Sequence, residues 1–168
     1  SCKKQFWLVP KNEPFSGQNT HRKKSKANYT FLDKYIGEKS FDENYALLSH
    51  YIQLQDSIAG EKYRKILEQN GLDVSKFPET DDFNAKLDVP FGTPKNPAFT
   101  FVDLFAGIGG FRLAMQSCGG QCVFSSEWDD AAKQTYFENY GEVPFGDITK
   151  PETKDLIPQK FDVLCAGF

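Results

Sequence analysis

The chain has 168 residues, 39% of them apolar with 16 Phe, and a formal net charge of −3. That supplies a real core for one ordinary domain, or for a small domain with an appendage. The charge excludes a globally basic nucleic-acid binder, no apolar run approaches the length of a membrane span, and no signal peptide is visible.

Residues 1–30 read as irregular, because Pro10, Pro14, Gly17 and a Gln-Asn-Thr cluster interrupt any period. Seven basic residues gather there (Lys3, Lys4, Lys11, Arg22, Lys23, Lys24, Lys26) against the single acid Glu13. Such an arm is a solvated tail or a contact for phosphates. From Asp42 the pattern turns helical: Leu48, Tyr51, Ile52, Ile58 and Ala59 share one face, and Gly60 is expected to end the run. Tyr63, Ile66 and Leu67 form a second amphipathic set closed by Asn70-Gly71, so a helical hairpin with a packing stripe is expected. Pro78, Pro90, Pro94 and Pro97 make residues 72–98 an extended connector with Asp81 and Asp82 exposed. The domain boundary falls near Ala98, dividing an amino-terminal extension (1–98) from a second unit (99–168).

From Phe99 the rhythm is strand, helix, strand, helix, loop, strand. Strands are expected at about 99–104, 121–126 and 161–165, and helices at about 109–118 and 128–139. A short helix opening at Pro151 suits that residue's fixed φ. Strands joined through helices imply a parallel sheet, hence an α/β unit behind a mainly helical amino-terminal region.

The turn after the first strand reads Phe105-Ala106-Gly107-Ile108-Gly109-Gly110. Its glycines admit a close ligand, and the following helix offers free N–H groups to a carboxylate or phosphate. A dinucleotide fingerprint needs a third glycine where Arg112 stands, so a pyrophosphate under the helix is disfavoured. Phe105 suits a cationic ligand. A sulfonium with a nearby carboxylate satisfies both features, which points to S-adenosyl-L-methionine. Glu127, ending the second strand, is placed to accept both ribose hydroxyls. Trp128 is placed to cover an adenine face. Asp129 reads as the cap of the next helix. Asp147 is placed to accept the adenine amino group, and Ile148 adds an N–H and an apolar wall.

The cysteines Cys2, Cys118, Cys122 and Cys165 lack metal-type spacing. They read as reduced thiols of a cytosolic protein, with no metal site. Cys165 lies inside an apolar strand and reads as structural.

Asp-Leu-Phe-Ala-Gly-Ile-Gly-Gly-Phe-Arg at 103–112, Ser-Glu-Trp-Asp at 126–129, Gly-Asp-Ile-Thr at 146–149 and Asp-Val-Leu-Cys-Ala-Gly-Phe at 162–168 resemble DNA (cytosine-5) methyltransferases of the bacterial restriction–modification type. The resemblance covers 99–168. It implies a Rossmann-like methyltransferase fold with a partial parallel sheet, and S-adenosyl-L-methionine as cofactor. Phe105 to Gly110 would cradle its methionine part, Glu127 the ribose, and Trp128, Asp147 and Ile148 the adenine. Gly167 would close the site from a fourth strand. It also implies a nucleophilic Cys just after Phe168, adding to C6 of a flipped cytosine in duplex DNA. No catalytic residue is then expected within the 168 residues, which alone should be inactive and would need a complementing carboxyl-terminal chain. A bacterial, nucleoid-associated cytoplasmic location follows from the resemblance. The alternative is a cofactor-binding subunit or regulatory module of a split or degenerate methyltransferase. A different S-adenosylmethionine enzyme usually shows Asn/Asp-Pro-Pro-aromatic where this chain has Ala-Gly-Phe.

Overall fold

In the computed structural model, which describes residues 29–37 and 42–167, strand β1 (Phe99–Leu104) is the middle of a three-stranded parallel sheet. β2 (Gly120–Ser126) lies on one side of it and β3 (Val163–Ala166) on the other. The basic arm, Cys2 and Phe168 lie outside the described residues. The register pairs Phe101 with Cys122 and Val102 with Phe124, so Val123 is the extra residue of an irregularity in β2.

Four helices precede the sheet: α1 (Thr30–Ile36), α2 (Asp42–Gln53), α3 (Ile58–Gln69) and α4 (Thr80–Leu87). Side chains alternate across a strand. Val102, Leu104 and Phe124 therefore join Leu47, Leu48, Ile52, Tyr63, Leu67 and Phe83 of these helices in one core. Phe101, Cys122 and Cys165 form a second cluster with Phe99, Val163 and Met115, the last on α5 (Gly110–Ser117). The sheet is thus covered by helices on both faces, the arrangement parallel strands require. The fold is α/β, Rossmann-like, with a helical amino-terminal region.

Three expectations need correction. Gly60 does not end a helix: α2 stops at Gln53, residues 54–57 turn, and Gly60 lies in the first turn of α3. The Ser57 hydroxyl accepts the Gly60 N–H at 3.0 Å, a standard N-cap. A Cβ on Gly60 would sit 1.9 Å from the Leu54 carbonyl oxygen, so the glycine serves close approach of two chain segments. Ile58 is 87% exposed and leaves the packing stripe. Residues 72–98 are not wholly extended either. Pro78 and Pro90 flank α4 rather than interrupt it, and Asp81 and Asp82 in its first turn suit the helix dipole.

Helix α6 (Asp130–Tyr140) follows β2, and α7 (Pro151–Lys154) starts at its proline. Between them, Phe145 makes only an isolated parallel bridge to Ser126. The strand taken as fourth is accordingly the third of the described sheet, one or two residues later than expected. Among the described residues no helix is long and apolar enough to cross a membrane.

Gly60→Ala should lower the unfolding free energy by about 1–3 kcal/mol, the usual cost of overpacking. Urea denaturation reads this as a lower midpoint. An unchanged midpoint would show that the turn at 54–57 yields freely.

Candidate functional site

The glycine loop, Glu127 and Trp128 stand at the carboxyl ends of β1 and β2, where ligands bind in open parallel sheets. Phe105 follows β1 at φ +54°, in the left-handed region. That conformation costs a bulky residue about 1–2 kcal/mol. Strain of this kind gathers at ligand sites. Its ring is 44% exposed at the mouth of the loop. Ala106 is buried, and its N–H donates to the Ser126 carbonyl at 2.9 Å, tying the loop to β2. Gly109 takes φ +94°, and a Cβ there would lie 2.2 Å from the Tyr140 ring. The Tyr140 hydroxyl donates to the Gly109 carbonyl at 2.6 Å, and the Asn139 side-chain amide donates to the Ile108 carbonyl at 3.4 Å. The last turn of α6 therefore holds the loop from behind. The space beside Gly107 and Gly110 is open.

Glu127 does more than end β2. One carboxylate oxygen accepts the Gly107 N–H at 2.8 Å, and the other accepts the N–H groups of Trp128 and Asp129 at 2.8 and 2.9 Å. The glycine turn is thereby latched to the neighbouring strand end. A carboxylate offers about four lone-pair directions, so one remains for a ligand. Trp128 is 80% exposed beside it. Asp129 caps α6 by accepting the Ala132 N–H at 2.9 Å. Asp147 accepts the N–H and hydroxyl of Thr149 at 2.9 and 2.8 Å, and these bonds hold its carboxyl below the usual range. Ile148 is half-buried against the core of the helical face. Gly167 follows β3 with Phe111 next to it: a Cβ would stand 3.2 Å from the Phe111 ring.

Sequence reasoning missed the polar cluster beneath this loop. Arg112, read only as a missing glycine, is wholly buried on α5. Its guanidinium bonds the Glu142 carboxylate at 2.6 Å and the Tyr136 hydroxyl at 3.1 Å, and its Nε donates to Gln116 at 2.8 Å. It also stands 4.8 Å from the Tyr140 ring centroid. The same Glu142 oxygen accepts the Ser125 hydroxyl at 2.8 Å and lies 3.2 Å from His50 Nε2. Burial drives the His50 pKa down, against the pull of Glu142. An arginine in place of glycine was the available signal, since a long charged side chain on an inward helix face demands a partner.

Asp103 is fully buried at the end of β1, and neither carboxylate oxygen has a well-formed hydrogen bond. Burial pushes its pKa up to about 7, although Arg112 nearby favours the ion. The thiols of Cys122 and Cys165 are buried and raised by the same desolvation, so neither is a ready nucleophile. No group of three or more metal-ligating side chains occurs among the described residues. A groove of about 820 Å³, lined by Ile58, Lys62, Ile66, Thr100 and Phe161, opens at the opposite ends of the strands and contains none of the indicated residues.

Residues 99–168 match the family model for C-5 cytosine-specific DNA methylase. Type II methyltransferase M.HpaII of Haemophilus parainfluenzae is 69% identical over 70 residues, 42% of this chain and 20% of its own length. M.HhaI of Haemophilus parahaemolyticus is 59% identical over 68 residues, 40% of this chain and 20% of its own. M.MspI of Moraxella sp is 39% identical over 142 residues, 84% of this chain and 31% of its own. The chain spans about a fifth to a third of the length of these relatives.

The buried charges make two predictions. Arg112→Met should cost about 3–5 kcal/mol, because Glu142 stays buried without its cation, and adding Glu142→Met should recover most of that loss. Urea denaturation of the single and double variants decides. For Asp103, the folded chain keeps a proton up to about pH 7, whereas an ordinary Asp loses it near 3.8. Stability therefore falls as pH rises between those values and levels off above them. Asp103→Asn should exceed the parent at pH 8 by up to about 4 kcal/mol. The advantage should vanish towards pH 4; an equal advantage at both pH values would contradict the raised pKa.

Proposed function

We propose that residues 99–168, which match the family model for C-5 cytosine-specific DNA methylase, are the S-adenosyl-L-methionine-binding portion of a DNA cytosine-5 methyltransferase. Residues 1–98 form its amino-terminal extension. The whole enzyme methylates C5 of a cytosine flipped out of duplex DNA, as the modification partner in a restriction–modification system.

The observation that carries this reading is the convergence of Phe105, Glu127 and Trp128 where adjacent parallel strands end, with the glycine loop bonded to Glu127. The residues fit the cofactor's chemistry. Phe105 is held strained with its ring at the mouth of the loop, where an aromatic face attracts a sulfonium. The open space at Gly107 and Gly110 admits the methionine part against the backbone. Glu127 accepts from the ribose with its remaining lone pair, Trp128 covers the adenine, and Asp147 with Ile148 reads the adenine edge. Gly167 closes the site beside Phe111. When bound, the cofactor supplies an electrophilic methyl group. The residues of this chain orient that methyl and shield the sulfonium from water. Cys122 and Cys165 are buried, so neither is assigned as the thiolate that adds to the cytosine ring.

Calorimetric titration with S-adenosyl-L-methionine, with NADH as control, should show binding of the former alone. Binding of NADH alone, or of neither ligand to a folded chain, would refute the assignment. Trp128→Ala should weaken binding by roughly 1–3 kcal/mol, the range for losing an aromatic partner of a base. Unchanged affinity would remove Trp128 from the site.

A further inference from the structure

β2 is an outer strand of the described sheet, and its free edge is satisfied in an unusual way. The 141–145 segment runs along it: the Phe145 N–H donates to the Ser125 carbonyl, and the Glu127 N–H donates to the Phe145 carbonyl, each at 2.9 Å. The segment is too short and irregular to be a strand, and only one bridge forms. Buried backbone groups beside it need partners from elsewhere. They find them on one face of α2.

Ser49 is fully buried; its hydroxyl accepts the Val143 N–H at 2.9 Å and donates to the Ala46 carbonyl at 3.1 Å. His50 Nδ1 lies 2.9 Å from the Ala46 carbonyl, which requires that nitrogen to carry the proton. Nε2 is then free to accept the Ser125 N–H at 3.2 Å. The His50 ring packs on Phe145 with centroids 4.3 Å apart. Gln53 donates to the Gly141 carbonyl at 3.4 Å and is itself oriented by Asn84 and Thr93. Three side chains of α2 thus engage residues 141, 143 and 145 and the strand beside them. Asp147 and Ile148 follow two residues later.

We infer that Ser49, His50 and Gln53 are positioning residues for the cofactor site, acting by holding the 141–148 segment that carries Asp147 and Ile148 against β2. The inference rests on the cofactor reading above. It makes the amino-terminal helices part of the binding machinery. Tyr63 provides the contrast. Its ring packs on Phe145, a contact that Tyr63→Phe keeps, while its hydroxyl anchors the same helical layer by donating to the Val123 carbonyl at 2.7 Å, outside the 141–148 segment.

The test measures S-adenosyl-L-methionine affinity, thermal midpoint and amide hydrogen exchange in the intact chain. Ser49→Ala and His50→Leu should each weaken binding about tenfold, the effect of one unsatisfied buried N–H. Both should speed exchange of the Val143 and Phe145 amides. His50→Gln, which keeps an acceptor for Ser125, should restore most of the affinity. Tyr63→Phe should lower the midpoint while affinity stays at the parent value. A lowered midpoint with parental affinity in Ser49→Ala would overturn the positioning role. A parent chain that folds but does not bind would instead overturn the cofactor reading itself, and this inference with it. If His50→Leu fails to fold, Ser49→Ala and His50→Gln carry the decision.

Discussion

The buried pair of Arg112 and Glu142 is the interaction on which the rest depends. Arg112 belongs to the helix that leaves the glycine loop, and Glu142 to the segment after α6. Two charges this far from water are tolerable only with close geometry and further hydrogen bonds. Tyr136, Gln116 and Ser125 provide them, and His50 Nε2 accepts the Ser125 N–H beside them. The cluster therefore joins α5, α6, β2 and α2 in one place. A shift of any of these elements would strand a buried charge, so their mutual positions are narrowly set.

That rigidity explains how a strained loop can persist. The loop, with Phe105 in the left-handed region and Gly109 against the Tyr140 ring, is held by bonds from neighbours: Glu127, just after β2, through the Gly107 N–H, and Tyr140 of α6 through the Gly109 carbonyl. The loop is consequently shaped before any ligand arrives, and preorganisation of this kind lowers the ordering cost of binding. Asp103 lies buried at the end of β1 with no well-formed hydrogen bond to its carboxylate, and its burial opposes stability. Local rules are commonly broken at functional sites, where neighbouring structure compensates.

Much of the α/β half was legible from periodicity and punctuation. β1 matches its expected range, α5 ends before Gly119, α6 ends at Gly141, and α7 opens at Pro151. Apolar strands between glycine-terminated helices leave little ambiguity. The helical half was less legible. Gly60 was read as a stop because glycine usually is one, whereas here a neighbouring carbonyl occupies the space a side chain would need. The prolines of residues 72–98 suggest an extended connector, whereas Pro78 and Pro90 delimit a helix. Both errors come from treating local preference as if no other segment were near.

The sequence by itself determined the strand–loop–helix order, the parallel α/β class, and the position of Glu127 where the second strand ends. These follow from local patterns: an apolar run, the residues that end it, and the chemistry at strand ends. Only the tertiary structure decided that Arg112 is a buried partner of Glu142, that Glu127 latches the glycine turn, and that α2 satisfies the open edge of β2. Each of these joins residues between 20 and 94 positions apart in the chain, as Gly107 and Glu127 do across 20 and Ser49 and Val143 across 94. Desolvation and hydrogen-bond satisfaction depend on what surrounds a group in space, and no local window of sequence contains that information.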